Sequence, residues 1–178
     1  MKVGTRLSRS PSLGILLIVL SGLALPVTTD AQGIMAVRSK EYKSSDVPKS
    51  IPGRGTETSI LTIADGGPIL DLNVKLNIRH PYTPDLDVFL IAPDGTRVEL
   101  FTDVGGVSAN FKDTILDDEA LQPITSGSGP FAGSYQPEGS LATFKAKDIA
   151  GTWTLEVTDD FKENRVGILN SWSLIVEV

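Results

Sequence analysis

Gly151-Thr152-Trp153-Thr154-Leu155-Glu156-Val157 and, shortly after it, Gly167-Ile168-Leu169-Asn170-Ser171-Trp172-Ser173-Leu174 decide the fold. Each opens on a turn glycine and continues as a period-two run with a tryptophan on its inward side, so the two read as the paired closing strands of a β-sandwich. Trp153 shares its face with Leu155 and Val157, and Trp172 shares its face with Leu174 and Val176. Both rings are therefore core anchors rather than an exposed platform.

Upstream, Leu70, Leu72, Val74, Leu76 and Ile78 alternate with Asp71, Asn73, Lys75, Asn77 and Arg79. That pattern predicts a strand with one buried and one wet face, in a register that a one-residue slip would invert. Shorter strands are predicted over Ser59 to Ile63, Leu86 to Ala92, Val98 to Phe101 and Leu141 to Phe144, and Pro93-Asp94-Gly95-Thr96 supplies a tight hairpin turn. From Asp103 to Gly139 glycine, serine, proline and acids dissolve the pattern into a long loop, with a short helix expected only near Thr114 to Leu121. No 3.6-residue period persists after the leader. The expected class is all-β, a jelly-roll-like antiparallel sandwich.

The first 31 residues stand apart. Lys2, Arg6 and Arg9 precede an apolar run from Leu13 to Leu25, and Thr29-Asp30-Ala31 ends in small residues, the order of a cleaved signal peptide. The organisation expected is a leader over 1–31, an arm over 32–50 laid along a sheet edge, and one sandwich domain over 51–178, secreted or periplasmic and without a membrane span once the leader is removed. An uncleaved anchor is the alternative. Cleavage would leave 13 basic against 21 acidic residues. Such a surface excludes nucleic acid, whose phosphates require basic partners. The absence of cysteine excludes thiol chemistry and disulfides, and a single histidine disfavours zinc.

The order of Asp85-Leu86, Pro93 with Gly95-Thr96, Gly151-Thr152-Trp153, Gly167-Ile168-Leu169 and Trp172 resembles the P domain (P/Homo B domain) of subtilisin/kexin-like proprotein convertases and secreted bacterial subtilases. Pro84 stands where that family usually has glycine. The block Phe111 to Ala120, with Gly129-Pro130-Phe131 and Pro137-Glu138, is similar to the bacterial branch. The resemblance implies a non-catalytic module that stabilises or contacts an exported subtilisin-like protease. It does not carry over proteolysis, because no Gly-Thr-Ser nucleophile segment occurs: the Gly-Thr pairs at 55, 95 and 151 continue into Glu57, Arg97 and Trp153.

His80 is the one possible general base, but no adjacent nucleophile is identifiable, and the expected role is to hold the loop that enters the next strand. A hydrolase with an unrecognised site is a second alternative. The acids suggest calcium as a structural cofactor, since Ca²⁺ takes six to eight oxygens and sandwich loops can supply them. The expected ligands are Asp85, Asp113, Asp117, Asp118 and Asp159, the acids nearest predicted strand ends. A glycan- or polymer-binding module is a further alternative, resting on Tyr82, Phe131 and Tyr135 as exposed loop aromatics.

Overall fold

The computed structural model describes residues 39–161 and 165–178. The leader, its cleavage after Ala31 and the first part of the arm lie outside the described residues. Ten strands follow in chain order: β1 (Ser39–Lys43), β2 (Lys49–Ile51), β3 (Gly55–Ile63), β4 (Asp71–Arg79), β5 (Leu86–Ile91), β6 (Arg97–Thr102), β7 (Phe111–Leu116), β8 (Phe131–Tyr135), β9 (Gly151–Asp159) and β10 (Gly167–Glu177). A larger sheet runs β1-β10-β4-β7-β8, with β2 also pairing to β10, and a smaller one runs β3-β9-β5-β6. All pairings are antiparallel except β7 with β8.

The two tryptophan strands are not partners. β9 pairs with β3 and β5, whereas β10 pairs with β1, β2 and β4, so the chain between them crosses from one sheet to the other. The inward tryptophans explain why the sequence suggested pairing: Trp153 and Trp172, 0% and 2% exposed, bring the same pattern into the core from opposite sheets. Each indole N–H is satisfied, Trp153 donating to the carbonyl of Ile149 at 2.9 Å and Trp172 to the Ser59 hydroxyl at 2.7 Å. Ser59 in turn donates to Asp46, which also takes the amide of Ile60 at 3.0 Å and the hydroxyl of Ser44 at 2.7 Å. Burial alone would raise the Asp46 pKa, but these donors, with Lys49, outweigh it and hold the carboxyl at about 2. The end of the arm is thereby fastened to β3 and β10.

The alternation in β4 buries Leu72, Val74, Leu76 and Ile78, but Leu70 faces out, 44% exposed. Backbone hydrogen bonds of Ile69 with Lys147 and Ala146 turn Ile69 inward instead. The hairpin at Pro93 to Thr96 forms between β5 and β6, closed by Ala92 N–H to Thr96 O at 2.9 Å. Between Asp103 and Gly139 the structure holds two strands where a loop was expected, and Thr114 to Leu121 contains the end of β7 rather than a helix. β-Bulges break the alternation there. Leu141 to Phe144 is a turn of 3-10 helix, not a strand, and buries both of those residues.

Candidate functional site

The sharpest concentration of buried chemistry lies where β4 ends, β5 begins and β9 ends. His80 follows β4, Asp85 closes a 3-10 turn over Thr83–Asp85 that leads into β5, and Asp159 is the last residue of β9. Asp159 stands beside Leu86 in the sheet, so strand pairing itself delivers the second acid to the first. The exposures of His80, Asp85 and Asp159 are 0%, 1% and 0%.

Isolated polar groups at that depth would be costly, and here they are paired. His80 Nε2 lies 3.1 Å from Asp159 Oδ2, and Nδ1 lies 2.7 Å from the carbonyl oxygen of Tyr82. Asp159 Oδ1 accepts the amide of Phe161 at 3.1 Å. Asp85 Oδ2 accepts from Arg165 at 3.0 Å, and the same guanidinium lies over the rings of Tyr82 and Phe161, 4.7 and 5.4 Å from their centroids. Gly167 completes the packing, because a Cβ there would come within 2.5 Å of His80 Cδ2.

Both ring nitrogens are engaged by backbone or carboxylate, and among the described residues no hydroxyl or other nucleophile hydrogen-bonds to His80. The loop-holding role expected for His80 is the one its bonds perform.

The five aspartates expected as metal ligands do not share one site. Asp85 and Asp159 meet, with His80, and their potential ligand atoms lie within 4.8 Å of one another. Asp113 is an exposed residue 3.6 Å from Lys75. Asp117 takes the amide of Glu119 at 2.8 Å, and Asp118 takes the amides of Leu141 and Ala142 at 3.0 and 2.9 Å. These are turn-capping duties. The donor set of the buried cluster does not fit calcium, which prefers oxygen alone, and Arg165 holds a positive charge against one would-be ligand. Asp85 Oδ2 and both oxygens of Asp159 have partners, and the buried side-chain atom without one among the described residues is Asn73 Oδ1, in β4.

A second acidic group lies just outside. Asp87 follows Asp85 by one pleat, and burial raises its pKa to about 6, helped by repulsion from Asp160, Asp103 and Glu99. Asp103 is raised for the same reasons, burial first and then Asp160 and Asp85. Of this region's members, sequence reasoning overlooked Arg165, for which the signal was a cation placed just before the terminal strand.

Tyr82, Phe131 and Tyr135 do not form the exposed aromatic platform expected of them. Phe131 and Tyr135 are 0% and 7% exposed, inward-facing on β8. Phe101, Phe111 and Phe131 stack at 4.5 and 4.8 Å, and Tyr135 meets Phe131 edge-on at 5.6 Å. Tyr82 lies under Arg165.

A family model described as the proprotein convertase P-domain matches residues 69–176, which include every member of the buried cluster. Among solved structures, the chain is similar to a serine protease of Aeromonas sobria in complex with a chaperone, at 22% identity and a TM-score of 0.48 over 79% of this chain and 26% of that one. The serine protease of Aeromonas sobria solved alone gives 23% identity with the same TM-score and coverage. The chain thus spans about a quarter of the length of those structures.

Proposed function

Because the chain belongs to the proprotein convertase P-domain family, we propose that it is a non-catalytic module, secreted or periplasmic, that binds and stabilises an exported subtilisin-like serine protease. The family match across the sandwich carries the reading. The buried cluster supports it, since His80, Asp85, Asp159 and Arg165 are consumed in fixing three chain segments and offer no reacting group.

Those segments present an apolar rim to a partner. The loop around Ser108 is tied to Thr83 by backbone and side-chain bonds, and it carries Val107, 93% exposed. Phe161 flanks Arg165, and Val166 follows it, 54% exposed. Exposed apolar side chains beside the cluster suit a protein contact. Export rests on the leader expected over 1–31. Calcium enters this reading at neither Asp85 nor Asp159, where it would have to displace Arg165 and His80.

The test mixes the purified chain with an exported subtilase encoded in the same genome and follows co-elution and the half-life of protease activity at raised temperature. Co-elution and a longer half-life are expected, both weakened by Val107→Asp with Val166→Asp. The chain alone should hydrolyse no peptide and take up no serine-directed probe. Neither co-elution nor protection, or peptidase activity lost in a His80→Ala variant that remains folded, would overturn the proposal.

A further inference from the structure

On the outer face of the larger sheet, away from the cluster, two strand irregularities meet at one level. β10 pairs Leu169 with Ile78 and Ser171 with Asn77, which leaves Asn170 as an extra residue. β7 pairs Phe111 with Ile78 and Thr114 with Leu76, so Lys112 and Asp113 both stand against Asn77. Bulges thus flank Asn77 of β4 on both sides. Such insertions re-aim side chains and accompany binding sites more often than plain strand does. Here they border a cleft of about 310 Å³ lined by Asn77, Arg79, Asn110, Lys112, Pro130 and Asn170, over backbone of β4 and β7. That volume lies at the lower end of small-molecule sites.

Its charge runs against that of the chain. The net charge is −6, yet among the described residues no acid lines this cleft. Among the described residues the basic side chains without an ion pair or hydrogen bond are Arg54, Arg79, Lys112 and Lys145, and two of them are here. The amides have capacity to spare. Asn110 Oδ1 takes the His80 amide, and Asn170 Nδ2 makes a 3.5 Å contact with Asn77 Oδ1, which leaves donors on Asn77 and Asn110 and an acceptor on Asn170 uncommitted.

We propose that the cleft around Asn77, flanked by Arg79 and Lys112, binds a carboxylate-bearing sugar, a uronate unit of an acidic polysaccharide. The two cations match the carboxylate, and amides that both donate and accept match adjacent hydroxyls. An acidic peptide suits the cleft less well. A peptide added as a strand needs a free sheet edge, and β4, β10 and β7 are each paired on both sides. The site is independent of any protease partner and survives if that proposal fails.

The test is a ¹⁵N–¹H titration of the full chain with trigalacturonate, its methyl ester and a tetraglutamate peptide. Trigalacturonate should shift the resonances of Asn77, Arg79, Lys112 and Asn170, with binding weakened by salt and reduced at least tenfold in Arg79→Ala/Lys112→Ala. Both side chains are exposed, so an unchanged melting temperature should confirm that the variant is folded. No shifts with trigalacturonate, equal shifts with the uncharged ester, or tighter binding of the peptide would each overturn the proposal.

Discussion

Asp85 and Asp87 are one pleat apart, and Asp159 and Asp160 are adjacent, yet each pair divides between two electrostatic situations. Asp85 and Asp159 point inward, 1% and 0% exposed, and every oxygen contact described for them is with a donor. Asp87 and Asp160 point outward, where partial burial and then repulsion from Asp160, Asp103 and Glu99 raise Asp87 to about 6. Burial alone therefore does not decide which carboxylate is costly here; whether donors answer it does. The inward acids are satisfied and lock the fold, while the outward ones repel one another and oppose it.

The largest effect should follow from breaking the inward set. Asp159→Ala removes the partner of the His80 ring and of the Phe161 amide, and deleting one member of a buried polar pair costs ~3–5 kcal/mol. Denaturant unfolding should show it, and a loss under ~1 kcal/mol would mean that the cluster is no lock. Arg165→Ala should cost less, about 2 kcal/mol, because the Arg165 side chain is 31% exposed and water can partly replace it. Repeating Arg165→Ala in an Asp85→Asn background should lower that cost, and equal costs would show that the pair is not coupled.

The outward set predicts the opposite sign. A folded pKa of about 6 against an ordinary 3.8 means that the Asp87 carboxylate is disfavoured in the fold. Its ionisation lowers stability as pH rises from about 4 to about 6, and below pH 4 the penalty is absent. The shift corresponds to roughly 3 kcal/mol if unscreened, and solvent access at this half-exposed side chain reduces it to about 1 kcal/mol. Asp87→Asn should therefore stabilise by about 1 kcal/mol at pH 7 and leave stability unchanged at pH 3.5, as read from urea titrations at the two values. Destabilisation at pH 7 would show that Asp87 has an attractive partner and that the contrast with Asp85 is false.

This contrast was only half legible in the sequence. Period-two alternation identified β4, β9 and β10 and both buried tryptophans, because each side chain there reports its own face directly. It could not say that β9 and β10 lie in different sheets, since an inward tryptophan looks the same from either side of a core. The bulge at Lys112-Asp113 interrupted the alternation, and with it the visibility of β7 and of β8 beside it, with the inward Phe131 and Tyr135. Asp85 and Asp159 were singled out for lying at strand ends, and that placement does bring them together. Their partners were hidden, because Arg165 meets Asp85 only after a separation of 80 residues closes.

Calcium supplies the smallest expected effect and the finest test of the comparison. An ion that binds only the fold adds RT ln(1 + [L]/Kd), about 2.7 kcal/mol at a hundredfold excess over Kd. For Asp85 and Asp159 to deliver that, Ca²⁺ would have to expel the Arg165 guanidinium and the His80 ring, and draw further oxygens from Asp87, Asp103 or Asp160 outside the cluster. Asp113, Asp117 and Asp118 are elsewhere, with Asp117 and Asp118 already capping turns. Calorimetry with excess calcium and with chelator should thus give melting temperatures closer than the roughly 2–4 °C that 1 kcal/mol produces in a chain of this size. A larger rise abolished by Asp85→Asn would break the comparison, because an inward acid would then have been waiting for a cation. A larger rise abolished by Asp87→Asn would sharpen it, because the ion would be relieving the repulsion that sets the outward acids apart.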